Sequence, residues 1–232
     1  SEVLPGQGAG GEGGTTSTMT PVTSSSSGGG AAADTLGLDL RVVAGGREIR
    51  DAIICVAGTD RCDTTRFDGL ARLEVAKDTT AAAFTVEHPE LRSTLFPAAI
   101  HGRPEVYRLE GLTRTQATFF GIPDDQGAHL GHVVFTSGAT VVAAPAPPDG
   151  VAYGSVTDGA DPAASGLDDT SDGYVLIGMM PGEVTITIEG AEDPCDLSRQ
   201  WPADAAGSFR APLEAGYLTV PFPVPCTPGG AQ

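Results

Sequence analysis

Apolar and polar positions alternate along this chain in short runs separated by turns. Leu38, Leu40 and Val42 face one way while Asp39 and Arg41 face the other. That period of two is the pattern of a half-buried β-strand. Ala71, Leu73 and Val75 repeat it opposite Arg72 and Glu74. Ala82, Phe84 and Val86 repeat it again, and so do Val184, Ile186 and Ile188 against Thr185, Thr187 and Glu189. Ala52–Val56 and Gly138–Ala144 are short apolar runs, as in strands covered on both faces. His132–Phe135 and Leu213–Val220 complete the predicted strands, and His88-Pro89 ends one because proline cannot donate to a ladder. Residues 101–127 admit two readings. Val106, Leu109, Leu112, Ala117 and Phe120 fit one face of a connecting helix near 105–120. The alternative is a pair of strands that completes the first sandwich.

The pattern is stated twice. Asp68-Gly69 turns into the strand Leu70–Val75, and 104 positions later Asp172-Gly173 turns into Tyr174–Ile177. Each turn is followed by a second strand. The duplication predicts two modules of roughly 100 residues, an ordinary domain size. The first spans 34–100, a connector spans 101–127, and the second spans 128–232 with an acidic insertion at 145–172. Residues 1–33 are a low-complexity Gly/Ser/Thr tail that buries too little apolar surface to fold alone. They predict a flexible tether, or a segment ordered by packing along a neighbouring subunit or by adding a strand to its sheet edge. Thr15, Thr16, Ser17, Thr18, Thr20 and Thr23 are candidates for O-glycosylation. The chain begins without a charged-then-apolar leader, which predicts a mature or trimmed product.

Composition narrows the partners. The net charge of −17, with a pI near 4.3, repels nucleic acid and anionic lipid surfaces. The chain lacks an apolar run of 18 residues, so a membrane-spanning helix is not expected. Lys77 is the only lysine, and there is no asparagine for N-linked glycans. Gly (32) and Pro (18) are abundant, which suits many short strands joined by turns. Four cysteines, Cys55, Cys62, Cys195 and Cys226, allow three pairings. Cys55–Cys62 and Cys195–Cys226 would each close a loop inside one repeat. Two disulfides would place the protein in an oxidising compartment, extracellular or at the cell surface.

The order within each repeat resembles the transthyretin-like, or carboxypeptidase regulatory-like, β-sandwich. Module two carries the resemblance in Gly138-Ala139-Thr140-Val141, Ser171-Asp172-Gly173-Tyr174 and Met180-Pro181-Gly182-Glu183-Val184-Thr185-Ile186. Module one departs from it, with Arg50-Asp51-Ala52-Ile53 for the first motif and Lys77-Asp78-Thr79-Thr80 at the second turn. The resemblance covers about 36–100 and 130–190. It implies an all-β fold of two tandem Ig-like sandwiches, to which the residues themselves add the low-complexity tail and, on the helical reading of 105–120, one short connecting helix. It implies nothing about ligand.

Candidate chemistry is sparse. Asp158, Asp161, Asp168, Asp169 and Asp172 cluster in sequence, and clustered carboxylates are what calcium needs. A solvated acidic loop is the plainer reading, because the alternating acids and distal Glu of a calcium loop are missing. His129 and His132, near Asp124 and Asp125, have a ligand-like spacing but sit among glycines. Trp201 could stack on a sugar or simply fill a core. The chain contains no zinc-peptidase motif, nucleophile elbow or phosphate loop. The reading that follows is a non-enzymatic structural or adhesive surface protein without a cofactor. It would associate with itself, with other surface proteins or with glycans, and its tail could build a filament or sheath. The alternatives are a calcium- or carbohydrate-binding surface module and an accessory domain of a secreted hydrolase.

Overall fold

A computed structural model describes residues 34–103, 105–122, 127–134, 136, 138–155, 159–168, 173–201 and 207–227. All belong to one compact unit that begins at Asp34. The elements of the first half are β1 (Thr35–Ala44), β2 (Arg47–Glu48), β3 (Ile53–Val56), β4 (Cys62–Thr64), β5 (Leu70–Ala76), β6 (Ala81–Glu87), β7 (Thr94–Ala99), β8 (Val106–Glu110) and helix α1 (Arg114–Phe119). The second half holds β9 (Ala128–Val134), β10 (Thr140–Ala144), β11 (Val151–Ser155), β12 (Gly159–Asp161), β13 (Gly173–Ile177), β14 (Gly182–Glu189), β15 (Ser208–Leu213), β16 (Leu218–Thr219) and β17 (Val224–Pro225). The fold is all-β with one short helix.

Strand pairing repeats between the halves. In the first, β1 takes β5 antiparallel on one edge and β8 parallel on the other. Facing them, β3 pairs with β6 and β6 with β7, all antiparallel. In the second, β9 takes β13 antiparallel and β17 parallel. There β10 pairs with β14 and β14 with β15, again antiparallel. Even single bonds recur. The Gly111 N–H donates to the Val43 carbonyl at 2.9 Å, and the Cys226 N–H donates to the Val134 carbonyl at 3.0 Å.

Alternation decides which face each strand buries. Leu38, Leu40, Leu73, Val75, Phe84, Val86 and Leu109 fill one core cluster. Val141, Val184, Ile186, Phe209 and Leu213 fill the other. β9 and β13 serve both. Leu130 and Val175 face the first cluster, while Val133, Tyr174 and Leu176 face the second. β16 joins the halves, pairing parallel with β7 on one edge and β9 on the other. One sheet therefore runs through ten strands of both halves.

Several expectations shift. Residues 105–120 are strand β8 followed by α1, not one helix. Val106, Leu109 and Leu112 have helical spacing, but Tyr107 and Leu109 are the buried pair and they obey period two. The helix starts later, at a Thr113–Gln116 capping box. The expected strand over 213–220 breaks around Gly216, leaving β15 before it and β16 after. Gly45 and Gly46, at φ 54° and 75°, make the two-residue turn of the β1–β2 hairpin, a backbone shape that favours glycine at both positions.

Candidate functional site

The structure joins Cys55 to Cys62 and Cys195 to Cys226, and no described cysteine is free. Cys55 and Cys62 face each other across the β3–β4 hairpin. Cys195 and Cys226 form an isolated antiparallel bridge beside β17.

The acidic insertion is only partly described. Asp158, Asp169 and Asp172 lie outside the described residues, as do Asp124, Asp125 and the O-glycosylation candidates. Asp161 closes its own turn, its Oδ1 accepting from the Ala163 N–H at 2.8 Å. Among the described residues, no three His, Cys, Asp or Glu side chains gather as a metal site. His129 and His132 do not converge, because they lie on opposite faces of β9. Trp201 is half-buried. It follows Gln200, whose buried side-chain amide donates to the Phe222 carbonyl at 2.8 Å.

His129 packs in the second core instead. Its Nε2 lies 3.0 Å from the Tyr174 hydroxyl, and the two rings stack at 5.5 Å. Tyr174 reaches it by lying across Gly131, its cross-strand partner. Full burial pushes the His129 imidazole down to about 3 from the usual 6.5. Burial, and secondarily Tyr153, pushes the Tyr174 phenol up. The His129 pair therefore stays neutral at physiological pH and is a structural element. Protonation favours the unfolded chain, where the histidine is exposed. Stability present above about pH 6.5 should thus fall toward pH 3, with a slope of about 1.4 kcal/mol per pH unit from this group. Urea midpoints measured between pH 7 and 4 check this. His129→Phe should flatten that part of the profile, and an unchanged slope would remove the histidine from it.

The other face of β9 borders a groove of about 580 Å³. Phe96, Leu112, Leu130, Val220 and Phe222 give it an apolar floor, and Arg108, Gln116, His132 and Arg199 stand at its rim. Arg199 is held by Glu105 at 2.6 Å, and Arg108 lies 3.8 Å from Glu110. Sequence reasoning missed this groove. Its walls come from the 45–46 turn, β7, β8, α1, β9 and the 220–223 segment, and no local pattern announces such a convergence.

One wall of the groove is β8, an edge strand. The phase set by the Gly111–Val43 bond turns the backbone N–H and C=O of Val106, Arg108 and Glu110 away from β1. β8 has no second neighbour among the described residues. The other long edges are capped. Along β5, the Leu70 carbonyl accepts from Arg66 N–H, the Arg72 N–H donates to Asp63, and the Glu74 carbonyl accepts from Arg61. Along β10, the Val141 N–H donates to the Tyr153 hydroxyl at 2.9 Å. β15 carries Pro212, whose carbonyl accepts from Thr219. Capped or proline-bearing edges resist pairing with another chain; an uncapped one invites it.

The chain matches no protein-family model and no curated protein sequence. Among solved structures it is similar to the Bacillus anthracis TIE protein, at 9% identity and a TM-score of 0.28 over 84% of this chain and 34% of that one. It is also similar to GBS52, the minor pilin of the gram-positive pathogen Streptococcus agalactiae, at 8% identity and a TM-score of 0.23. That match covers 83% of this chain and 96% of the pilin. The chain thus spans about a third of the TIE protein's length. Similarity at these scores carries no weight for function.

Proposed function

We propose that this protein is a non-enzymatic, extracellular or cell-surface structural protein. In this reading it is built from two transthyretin-like modules and associates with itself through residues 1–33. The observation that carries the reading is the pair of disulfides, one within each half, with no described cysteine free. Such a cysteine pattern is kept in oxidising compartments and lost in reducing ones. Recurrence of the same strand pairing in both halves supports the two-module reading. Capping of the long edges β5, β10 and β15 supports a subunit that restricts where other chains can add. The acidity of the chain fits a partner brought in by apolar and backbone contacts, since two copies at −17 repel at long range.

Light scattering and negative-stain imaging test the association. The full chain should form particles larger than a monomer, and the chain lacking residues 1–33 should not. Assembly that survives removal of the tail would reject the tail's role. Intact mass with and without reductant tests the compartment argument separately. Reduction should add about four hydrogens, as two disulfides require, and equal masses would overturn it.

A further inference from the structure

We infer that the groove beside β8 is a strand-accepting site, and that its occupant is the Thr-rich segment Thr15–Thr23 of a second copy of this chain. The inference rests on the self-association reading above and names the surface that receives the tail.

The second half shows what the position is built for. β17 stands to β9 as β8 stands to β1. Beyond β17 lies a further piece of chain: Cys195 bridges Cys226 antiparallel, and the Asp196 N–H donates to the Pro225 carbonyl at 2.8 Å. The matching carbonyl in the first half is that of Glu110, because Gly111 corresponds to Cys226. No described residue takes it. The same architecture thus holds an antiparallel segment on one copy of the edge and, among the described residues, leaves the other copy open along an apolar groove.

The occupant follows from length, charge and backbone chemistry. β8 runs for five residues, roughly 16 Å at strand rise. The tail offers 33 residues, whose only charges are Glu2 and Glu12. A nearly uncharged segment can enter a site on a chain that otherwise repels its own copies. Within the tail, Thr15–Thr23 is the run richest in β-favouring residues, with five threonines and Val22. In a paired strand, alternate residues turn their N–H to the neighbour. If Thr16, Thr18, Thr20 and Val22 bond to β8, Pro21 turns outward, where its missing N–H costs no ladder bond. Arg108 and Glu110 oppose each other's charge at the rim, so neither repels a neutral guest.

Hydrogen exchange on the full chain, assembled and monomeric, tests this. On assembly the amides of Arg108 and Glu110 should gain at least about ten-fold protection, as newly bonded amides do. Those of Arg72 and Glu74 on the β5 edge should not change. Arg108→Pro removes one outward N–H and should weaken assembly at least about ten-fold, by loss of a ladder bond at an edge position that tolerates proline. Assembly that needs the tail but leaves the β8 amides unprotected would overturn the groove assignment and leave the association reading standing. Protection of β8 in assemblies formed without residues 1–33 would overturn the tail as occupant. A full chain that stays monomeric would overturn both.

Discussion

Gly131→Ala should destabilise the fold by about 3 kcal/mol, lowering the melting temperature by roughly 6–12 °C for a body of this size. A methyl group built on Gly131 would lie 2.3 Å from both Cζ and Oη of Tyr174. Real side chains do not approach so closely, so the ring must leave. Tyr174 is among the largest fully buried side chains, so its exit disturbs the centre of the second core. It also breaks the hydrogen bond to His129, whose Nδ1 has no partner among the described residues. A buried imidazole with neither nitrogen bonded adds about 1–3 kcal/mol of desolvation penalty. Differential scanning calorimetry gives the loss directly. A double-mutant cycle isolates its cause. In a Tyr174→Leu background the methyl group has room, so the Gly131→Ala step should cost far less. Equal costs in both backgrounds would show that the tyrosine does not explain the glycine.

That pair also shows where sequence reading stops. Strand alternation was legible because each strand buries one face: Leu38, Leu40, Leu73, Val75, Phe84, Val86, Val184 and Ile186 lie in the cores that their spacing predicts. The duplicated Asp-Gly turns pointed to strands that occupy matching places beside β1 and β9. Gly131, by contrast, reads as a turn residue among other glycines, and His129 and His132 read as neighbours. Only the pairing of β9 with β13 reveals that the glycine makes room for a ring and that the histidines point apart. β8 was ambiguous for a related reason. Its partner β1 lies far away in sequence, and parallel pairing leaves no local turn to mark it. The groove combines both difficulties, since an edge without a neighbour leaves no trace in composition.

Replacing Cys195 and Cys226 together by alanine should cost about 3–4 kcal/mol, more than the same change at Cys55 and Cys62. The separations are 31 and 7 residues. In the chain-entropy account the shorter loop gives about 2.4 kcal/mol and the longer about 3.7 kcal/mol. Position widens the gap. Cys226 is fully buried in the second core, next to Val224, while Cys62 is exposed. Cys55–Cys62 reinforces a hairpin whose two strands already pair in a ladder, whereas Cys195–Cys226 anchors a segment otherwise held by single bonds, such as that from the Asp196 N–H to the Pro225 carbonyl. Urea unfolding of the two double variants gives the comparison. Equal losses would mean that native packing at the bridges, and not loop closure, sets their contribution. The longer bridge has a second consequence. It holds Cys195 and Asp196 on the outer edge of β17, the position that β8 leaves open. Without it that edge should fray, so the Asp196 amide should lose its exchange protection before the rest of the second half unfolds.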